Sequence, residues 1–380
     1  MFRKNTNLYL SVILIAVIAF SLMTIYAASS TKHSKGFGLS ARSAVLYQPE
    51  TKAFLYEKNA DVRMPMASTT KIMTALVALE NGNLDDTVKI GRESVGIEGS
   101  SAYLKEGDAL TLEELIYALL LSSANDAATA IAYHISGSIE DFAVLMNERA
   151  DALGLKDTHF TNPHGLDDEN HYTTSRELAR IAAEALENED FKKITSTYKK
   201  SFVTEERSRT YVNHNKLLSL YDGCVGVKTG FTKKSGRCLV SSAERDGLSF
   251  ISVTLDAPND WIDHEKLLDY GYDTLEKITL AEVGEFAYEV KLIGGVEETV
   301  FVKNTEKASV ILDKGEHDVK KYIKLPRFTT PTVKSGDVLG EVIFTVDGEY
   351  AASVKLYAQN TVTAKKDKGI FKKIISKFHL

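Results

Sequence analysis

A serine and a lysine three residues apart form the most reactive combination in this sequence. They are Ser68 and Lys71, directly before an apolar run that begins at Ile72. Residues three apart share one face of a helix, so the hydroxyl and the amine can meet. A serine hydroxyl becomes a nucleophile when a neighbouring base removes its proton, and a neutral lysine can be that base. The same spacing also suits an N-cap serine followed by a solvated lysine.

A second polar pair, Ser123 and Asn125, lies where one apolar helical pattern ends and the next begins. Such a loop can turn both side chains into a cleft. Serine and asparagine are also ordinary residues of a turn that joins two helices. The pair therefore becomes informative only in combination with Ser68 and Lys71.

A third segment, Lys228-Thr229-Gly230, ends a strand-like run. Glycine permits close backbone approach, and a strand can offer its edge to an extended peptide. Burial and a second cation both disfavour the charged form of a lysine, and Lys228 is the candidate cation beside Lys71. A lysine at the end of a hairpin strand is the structural alternative.

Helical patterns occupy residues from about 68 to 188 and must carry the first two segments. Three of the helices begin at polar residues with an acidic residue three positions on: Thr111 with Glu114, Ser138 with Asp141, and Thr174 with Glu177. This spacing is typical of capped helix starts. The helical region therefore places Ser123 and Asn125 between two helices.

Strand patterns lie on both sides of the helical region. They cover residues 44–47, 53–56, 224–230, 237–243 and 248–256, with a tight-turn pair at Asp246-Gly247 and a last helix over 260–276. Strands that flank a helical block predict one mixed α+β domain, residues 43–277. Short alternating runs follow and predict a small all-β domain, residues 278–360.

Together the three polar segments resemble the S-x-x-K, S-x-N and K-T-G signatures of the penicillin-recognising serine enzymes. Further stretches are similar to one branch, the low-molecular-mass penicillin-binding proteins that act as D-alanyl-D-alanine carboxypeptidases: 67–74, 104–108, 123–127, 162–166 and 226–232. The resemblance implies a β-lactamase/transpeptidase-like domain with an antiparallel sheet and a helical region. It implies hydrolysis of the terminal D-alanyl-D-alanine bond of peptidoglycan stem peptides through an acyl-enzyme, with β-lactam antibiotics as covalent inhibitors. No cofactor and no metal are expected.

The resemblance also supports the catalytic roles. Ser68 is expected to be the nucleophile and Lys71 the general base, while Ser123 passes the proton toward the leaving amine. These three residues form the expected catalytic set.

Five residues are expected to bind the substrate. The Asn125 amide would hold the peptide carbonyl, and the backbone N–H groups of the nucleophile and of Phe231 would form the oxyanion hole. Lys228 and Thr229 would read the terminal carboxylate, and Gly230 would allow the close approach of the substrate.

Other functions share the same signatures and stay open. A β-lactamase would be expected to end after the catalytic domain, and its commonest class needs a glutamate for which no E-x-x-L-N segment exists between Ser123 and Lys228. A transpeptidase differs only in using an amine as acceptor. A catalytically inactive cell-wall binding or scaffold protein is the alternative of a different class, although all three signatures are intact.

Composition and charge exclude several classes of protein. The net charge is −6 over 380 residues, without the basic footprint of a nucleic-acid binder. The two cysteines, Cys224 and Cys238, exclude a disulfide-built scaffold; whether they pair or stay free is open. His159, His164 and His171 lie close in sequence but match no zinc spacing, so His164 is expected to support the cleft.

The N-terminus predicts export. Basic residues Arg3 and Lys4 precede 21 uncharged residues, 8–28, which end in small residues. This pattern is typical of a signal peptide over 1–28, followed by a leader over 29–42. An uncleaved membrane anchor is the alternative, since 21 residues are long enough to span a bilayer.

The C-terminal residues 361–380 are expected to form a basic amphipathic tail. From 365 to 380 the chain has six lysines and one aspartate, and residues 370–380 place apolar and basic side chains on opposite helical faces. A helix of this length reaches only about 16 Å and cannot span a bilayer. It is expected to lie on an anionic membrane surface, which places the protein at the outer face of the cytoplasmic membrane. A helix docked on the protein core is the alternative.

Overall fold

The computed structural model describes residues 38–203 and 207–365. The expected signal peptide and most of the expected leader and tail lie outside the described residues. The chain divides into two compact units between Asp273 and Thr274. The first unit combines helices with sheets and the second is built from strands, which confirms the α+β prediction with a small all-β domain.

The first unit has one five-stranded antiparallel sheet. Its strands are β1 (Ser43–Gln48), β2 (Ala53–Lys58), β7 (Cys224–Thr232), β8 (Gly236–Arg245) and β9 (Leu248–Leu255), in the order β2-β1-β9-β8-β7. Two short antiparallel pairs stand apart from it: β3 (Thr87–Lys89) with β4 (Ala109–Thr111), and β5 (Lys199–Val203) with β6 (Ser208–Val212). The predicted turn between β8 and β9 is confirmed, because Asp246 and Gly247 both have positive φ, 52° and 72°.

The helices of the first unit are α1 (Lys71–Asn81), α2 (Leu112–Leu121), α3 (Asn125–Ser136), α4 (Ile139–Ala152), α5 (Ser175–Leu186), α6 (Glu189–Thr195), α7 (Leu217–Leu220) and α8 (Asp260–Thr274). All three predicted caps are confirmed. The side chains of Thr111, Ser138 and Thr174 each accept a hydrogen bond from the backbone N–H three residues on. Each bond satisfies a donor that the first helical turn would otherwise leave unpaired.

Helices α1 and α2 lie in the core of the first unit. Nearly every residue of α2 is buried, which fits a helix that is apolar on all sides after its first turn. Leu76 and Leu119 are among the fully covered side chains, each worth about 1.5–3 kcal/mol of burial. This packing fixes the N-terminus of α1, and Lys71 is its first residue.

Three local details differ from the predictions. Ser68 lies in a 3₁₀ turn, Ala67–Thr70, that precedes α1. Strand β7 continues past the predicted end at Gly230 to Thr232, because its pairing with β8 continues to Gly236. The β5–β6 hairpin was not predicted. Its strand β6 is held by the ion pair of Arg209 with Asp108 at 2.6 Å, a contact between residues far apart in sequence.

The second unit is formed by β10 (Leu275–Ala281), β11 (Ala287–Lys291), β12 (Thr299–Asn304), β13 (Ala308–Asp313), β14 (Val319–Lys324), β15 (Val338–Val346) and β16 (Glu349–Ala358). Five strands form an antiparallel sheet in the order β11-β12-β16-β15-β14, and β10 pairs with β13. Alternating Val342, Phe344 and Val346 are buried, as their period-two pattern predicts. Across the described residues, none of the helices combines the length and the apolar character that crossing a membrane requires.

Candidate active site

The 3₁₀ turn before α1 presents Ser68 at a cleft. Ser68 is half-buried and lines the cleft wall. Its predecessor Ala67 has φ 47°, a left-handed conformation that is uncommon outside glycine. Backbone strain of this kind is concentrated at functional sites.

Lys71 is completely buried beneath Ser68. Its Nζ lies 3.0 Å from Ser68 Oγ, 2.7 Å from Asn125 Oδ1 and 2.5 Å from the backbone oxygen of His164. Burial, with the charge of Lys228 as a second cause, lowers the pKa of Lys71 well below its usual value; Asp126 opposes this shift. The amine is therefore driven toward its neutral form.

The contacts of Lys71 determine what a neutral amine does here. A neutral amine has two N–H donors and one lone pair. The carbonyl oxygen of His164 and the amide oxygen of Asn125 accept hydrogen bonds and cannot donate, so they use both donors. The lone pair is left for the third partner, Ser68, whose O–H can donate to it. This is the arrangement that a general base requires.

Ser123 and Asn125 lie between α2 and α3, as predicted. Ser123 is buried, lines the cleft and has φ 60°. Asn125 is the first residue of α3, and its Nδ2 donates to the Glu98 carbonyl at 2.5 Å. An amide nitrogen has two N–H groups, so a second donor of Asn125 can serve a substrate carbonyl.

Strand β7 forms the opposite wall of the cleft. Thr229, Gly230 and the exposed Phe231 line it. A Cβ on Gly230 would lie 3.0 Å from the backbone nitrogen of Ser68, a tight contact that glycine avoids. The close approach brings the β7 backbone beside the Ser68 N–H, which is what an oxyanion hole shared with Phe231 requires.

Lys228 is buried and is not among the residues that line the cleft. It is 1% exposed, and its Nζ donates to the Thr229 carbonyl at 2.8 Å. Burial lowers the pKa of Lys228 to about 7. This lysine can influence Lys71 through its charge, but it is poorly placed to bind a substrate carboxylate directly.

The cleft has a volume of about 570 Å³ and contains groups that sequence reasoning missed. These are Ser100, Asn213, His214, Lys216, Arg237, Asp260 and Trp261, which line it together with the predicted residues. They come from a loop, the segment after β6, strand β8 and the start of α8. None forms a local motif with Ser68, so sequence gave no signal for them beyond the polar residue types.

Arg237 is a cation on the cleft wall that two neighbouring side chains contact. It lies opposite Phe231 in the β7–β8 pairing, and its Nη2 lies 2.9 Å from Oδ2 of the buried Asp260. Its guanidinium also lies over the Trp261 ring at 5.8 Å from the centroid. The ion pair and the ring hold a half-exposed guanidinium beside Thr229, the position from which a carboxylate could be read.

The side chains of His164, Cys224 and Cys238 do not line the cleft. His164 contributes its backbone oxygen to Lys71, while burial lowers the pKa of its ring to about 3. Within the described residues, no cluster of three histidine, cysteine or acidic side chains is arranged to hold a metal ion. Cys224 pairs with Ala243 and Cys238 with Gly230 in the sheet, and both thiols are free.

Comparisons with known proteins agree over both units. The family described as D-alanyl-D-alanine carboxypeptidase matches residues 28–259, and the penicillin-binding protein 5 C-terminal domain matches residues 275–364. D-alanyl-D-alanine carboxypeptidase DacF of Bacillus subtilis is 33% identical over 371 residues, covering 94% of each chain. The DacA enzyme of Haemophilus influenzae is 31% identical and covers 94% of this chain and 95% of its own.

Solved structures show the same likeness. Penicillin-binding protein 5 from Haemophilus influenzae superposes with a TM-score of 0.63 at 31% identity, covering 87% of this chain and 99% of that one. The Streptomyces K15 DD-transpeptidase superposes with a TM-score of 0.60 at 35% identity, covering 63% of this chain and 99% of its own. The part of this chain that the transpeptidase matches is no longer than the first unit.

Proposed function

We propose residue roles for this chain on the premise that it belongs to the D-alanyl-D-alanine carboxypeptidase family and hydrolyses the terminal D-alanyl-D-alanine bond of peptidoglycan stem peptides. One observation carries the proposal. The buried amine of Lys71 lies 3.0 Å from Ser68 Oγ while two other acceptors use its donors. Ser68 is then the nucleophile and Lys71 its general base.

Acylation begins when neutral Lys71 takes the hydroxyl proton of Ser68 as Oγ attacks the carbonyl carbon of the penultimate D-alanine. The carbonyl oxygen becomes an oxyanion, which the backbone N–H groups of Ser68 and Phe231 stabilise. Such donors are typically worth about 2.7–4 kcal/mol each in the transition state. The close approach of Gly230 to the Ser68 nitrogen supports this pairing.

The tetrahedral intermediate collapses when the C–N bond breaks. The proton held by Lys71 passes through the Ser123 hydroxyl to the leaving nitrogen, and free D-alanine departs. Water then attacks the ester, with Lys71 taking the proton of the water and returning it to Ser68 Oγ. Asn125 orients Lys71 through Oδ1 and offers Nδ2 to the substrate carbonyl.

The terminal carboxylate is assigned to Thr229 and Arg237. Thr229 offers a hydroxyl on the cleft wall, and Arg237 offers the guanidinium that Asp260 holds in place. A charge-assisted hydrogen bond to a carboxylate is about twice as strong as a neutral one. Lys228 acts instead on the general base, because its charge lowers the pKa of Lys71.

Covalent labelling tests the proposal. Wild-type protein is expected to form a stable adduct with a fluorescent penicillin and to release D-alanine from a synthetic pentapeptide. Ser68→Ala should do neither, and Ser122→Ala, which changes the neighbouring serine of the Ser122-Ser123 pair, serves as the matched control for label chemistry. Wild type without label would favour an inactive scaffold, whereas Ser68→Ala that labels equally would reject Ser68 as the nucleophile.

Transpeptidation is the second candidate, because a similar structure is that of a DD-transpeptidase. The two reactions share the acyl-enzyme and differ in whether water or an amine attacks it. Incubating the pentapeptide with increasing concentrations of an acceptor amine separates them. Hydrolysis predicts tetrapeptide throughout, whereas transpeptidation predicts an amide product that grows with the amine. Rapid penicillin turnover would instead favour a β-lactamase.

We further propose that residues 1–28 form an export signal, with a leader over 29–42, and that the basic tail over 361–380 attaches the enzyme to anionic lipid. Arg3, Lys4 and the six lysines after residue 364 support this assignment. A chain cut before residue 365 should become soluble after membrane fractionation, while the full chain stays bound. Continued membrane association of the shortened chain would indicate an uncleaved N-terminal anchor.

A further inference from the structure

A buried chain of hydrogen bonds ends at the carbonyl oxygen directly before the nucleophile. The Thr70 hydroxyl donates to the Ala67 oxygen at 2.8 Å. Thr70 Oγ1 also lies 2.7 Å from His171 Nε2. The backbone N–H of Thr161 donates to His171 Nδ1 at 3.0 Å. Thr70 and His171 are 1% and 3% exposed, so water does not compete for these groups.

The directions of these bonds are fixed by counting donors. Nδ1 of His171 accepts from a backbone N–H and must carry a lone pair, so the proton of a neutral ring is on Nε2. The single hydroxyl proton of Thr70 is used on the Ala67 carbonyl. Thr70 Oγ1 must therefore accept from His171 Nε2–H. Each donor in this chain has an acceptor, and the chain runs from Thr161 to Ala67.

The Ala67 carbonyl and the Ser68 N–H belong to the same peptide unit. A peptide unit is planar and, when trans, directs its C=O and its N–H to opposite sides. Holding the carbonyl toward the interior therefore turns the Ser68 N–H outward. That N–H is the group beside Gly230 on β7, with 3.0 Å between the Ser68 nitrogen and a Cβ built on Gly230.

The local backbone requires such a restraint. Ala67 has φ 47°, a conformation that a residue with a Cβ leaves readily when nothing holds it. On its other side the Ala67 carbonyl packs against Gly165, where a Cβ would lie 2.0 Å from the oxygen. The Thr70 hydroxyl and the Gly165 backbone thus confine the peptide unit from two directions.

We propose that His171 and Thr70 are positioning residues that orient the Ser68 N–H of the oxyanion hole through the shared Ala67–Ser68 peptide plane. This inference rests on the proposed role of Ser68 as nucleophile. It assigns to His171 no contact with substrate and no proton transfer. Breaking this chain of hydrogen bonds is expected to slow acylation without weakening the binding of uncleaved substrate.

Paired substitutions in the full-length protein test the proposal. Gln places an amide nitrogen near the position of Nε2, whereas Asn reproduces the position of Nδ1. His171→Gln and Thr70→Ser should therefore acylate within about threefold of wild type. His171→Asn and Thr70→Val should lose about tenfold to a hundredfold in acylation rate, since a complete oxyanion donor is worth about 10²–10³. Thr158→Val, which removes a buried hydroxyl bonded to Glu177, is the matched control and should acylate normally.

Two readouts separate positioning from general loss of structure. Affinity for a boronic acid that forms a tetrahedral adduct on Ser68 should fall in parallel with acylation, whereas the affinity of Ser68→Ala for the pentapeptide should not change when Thr70→Val is added. Nitrogen NMR of wild-type His171 should show the neutral Nε2–H form at neutral pH, whether or not any variant folds. A neutral Nδ1–H form or a charged ring would overturn the proposal.

The outcomes also distinguish this proposal from the proposed function. Wild type that takes no penicillin would refute the function itself. Wild type that labels, together with folded Thr70→Val and His171→Asn that label at the same rate, would refute only the positioning. Equal losses in His171→Gln and His171→Asn would likewise contradict it, because Gln keeps the bond to Thr70.

Discussion

Asn125 Oδ1 accepts a hydrogen bond from Lys71 Nζ at 2.7 Å, and this bond determines which way the lysine lone pair points. The acceptor is an uncharged amide. A carboxylate in its place would stabilise the ammonium form and remove the base. Asparagine therefore holds Lys71 without restoring its charge.

Asn125→Asp should raise the pKa of Lys71 and move the acidic limb of the acylation profile to higher pH. The general base must be neutral, so acylation rises as pH passes through the pKa of Lys71. A shift of one pH unit, which corresponds to about 1.4 kcal/mol, lowers the acylation rate about tenfold at pH values below the pKa of Lys71. Penicillin acylation measured from pH 5 to 10 checks this. Asn147→Asp, whose amide bonds the Phe160 backbone, is the control and should leave the limb in place.

Lys228→Met should move the same limb in the same direction. The charge of Lys228 lowers the pKa of Lys71, so its removal lets that pKa rise. The midpoint of the limb, rather than the maximal rate, is the quantity to compare. Lys216→Met removes an exposed lysine that lines the cleft and is the control. A limb that stays fixed in Lys228→Met, or moves equally in Lys216→Met, would contradict the proposed electrostatic role.

Arg237→Gln should impair substrates with a free C-terminal carboxylate and spare those with a C-terminal amide. Loss of a hydrogen bond between charged groups costs about 1.5–3 kcal/mol, which is about tenfold to a hundredfold in kcat/KM. The measurement compares the pentapeptide with its amide on wild type and variant. Arg245→Gln, which loses stacking on Tyr221 and Tyr272, is the control. Equal losses on both substrates would show that Arg237 supports the fold and does not read the carboxylate.

Gly165→Ala should abolish most acylation, whereas Gly137→Ala should not. Both glycines have positive φ, 84° and 85°, so both alanine variants incur a similar backbone strain of about 1–2 kcal/mol. A Cβ at Gly165 would also lie 2.0 Å from the Ala67 oxygen, while the space around Gly137 is open. Thermal melting and penicillin acylation of the two variants separate these effects. Normal acylation in Gly165→Ala would show that the 3₁₀ turn that carries Ser68 can be displaced without loss of function.

The first unit should lose stability in acid through its buried histidines. Burial lowers the pKa of His264 to about 3, and its ring nitrogens lie within hydrogen-bond distance of Ser252 and Thr254. Its contribution is complete above pH 6.5, where the unfolded ring is neutral, and is lost progressively as pH falls from 6.5 toward 3. One such group lowers the free energy of unfolding by about 2–3 kcal/mol as the pH falls from 6.5 to 4.5.

Urea unfolding at pH 7 and pH 4.5 measures this loss. His264→Gln should lower the free energy of unfolding at pH 7. It should also reduce the number of protons taken up on unfolding in acid by about one, which flattens the pH dependence of stability. An unaltered pH slope in folded His264→Gln would show that other groups cause the acid sensitivity.

The sequence predicted what local patterns encode. The capped starts of α2, α4 and α5 and the Asp246-Gly247 turn depend on neighbouring residues only, so they could be predicted from residue type and spacing. The family resemblance indicated that the three polar segments come together in one site. The strand patterns on both sides of a helical block predicted the α+β class, and the resemblance added the β-lactamase/transpeptidase-like fold; the comparisons confirm both.

Long-range contacts were not predictable in the same way. The β5–β6 hairpin contacts residues about a hundred positions away, as in the ion pair of Arg209 with Asp108. Arg237 became a candidate only when the β7–β8 register placed it opposite Phe231 and the start of α8 supplied Asp260. Register is set by the assembled sheet, and a slip of one residue would send Arg237 to the other face.

The sequence by itself determined which groups are available for chemistry: a hydroxyl and an amine three residues apart, a serine–asparagine pair and a K-T-G strand. The tertiary structure decided their states. Burial from several elements lowers the pKa of Lys71 and removes Lys228 from the cleft surface, and the hydrogen bond from His171 to Thr70 links the peptide unit of Ser68 to a residue about a hundred positions away. Desolvation and hydrogen-bond direction depend on everything that surrounds a group in space, which residue order alone does not specify.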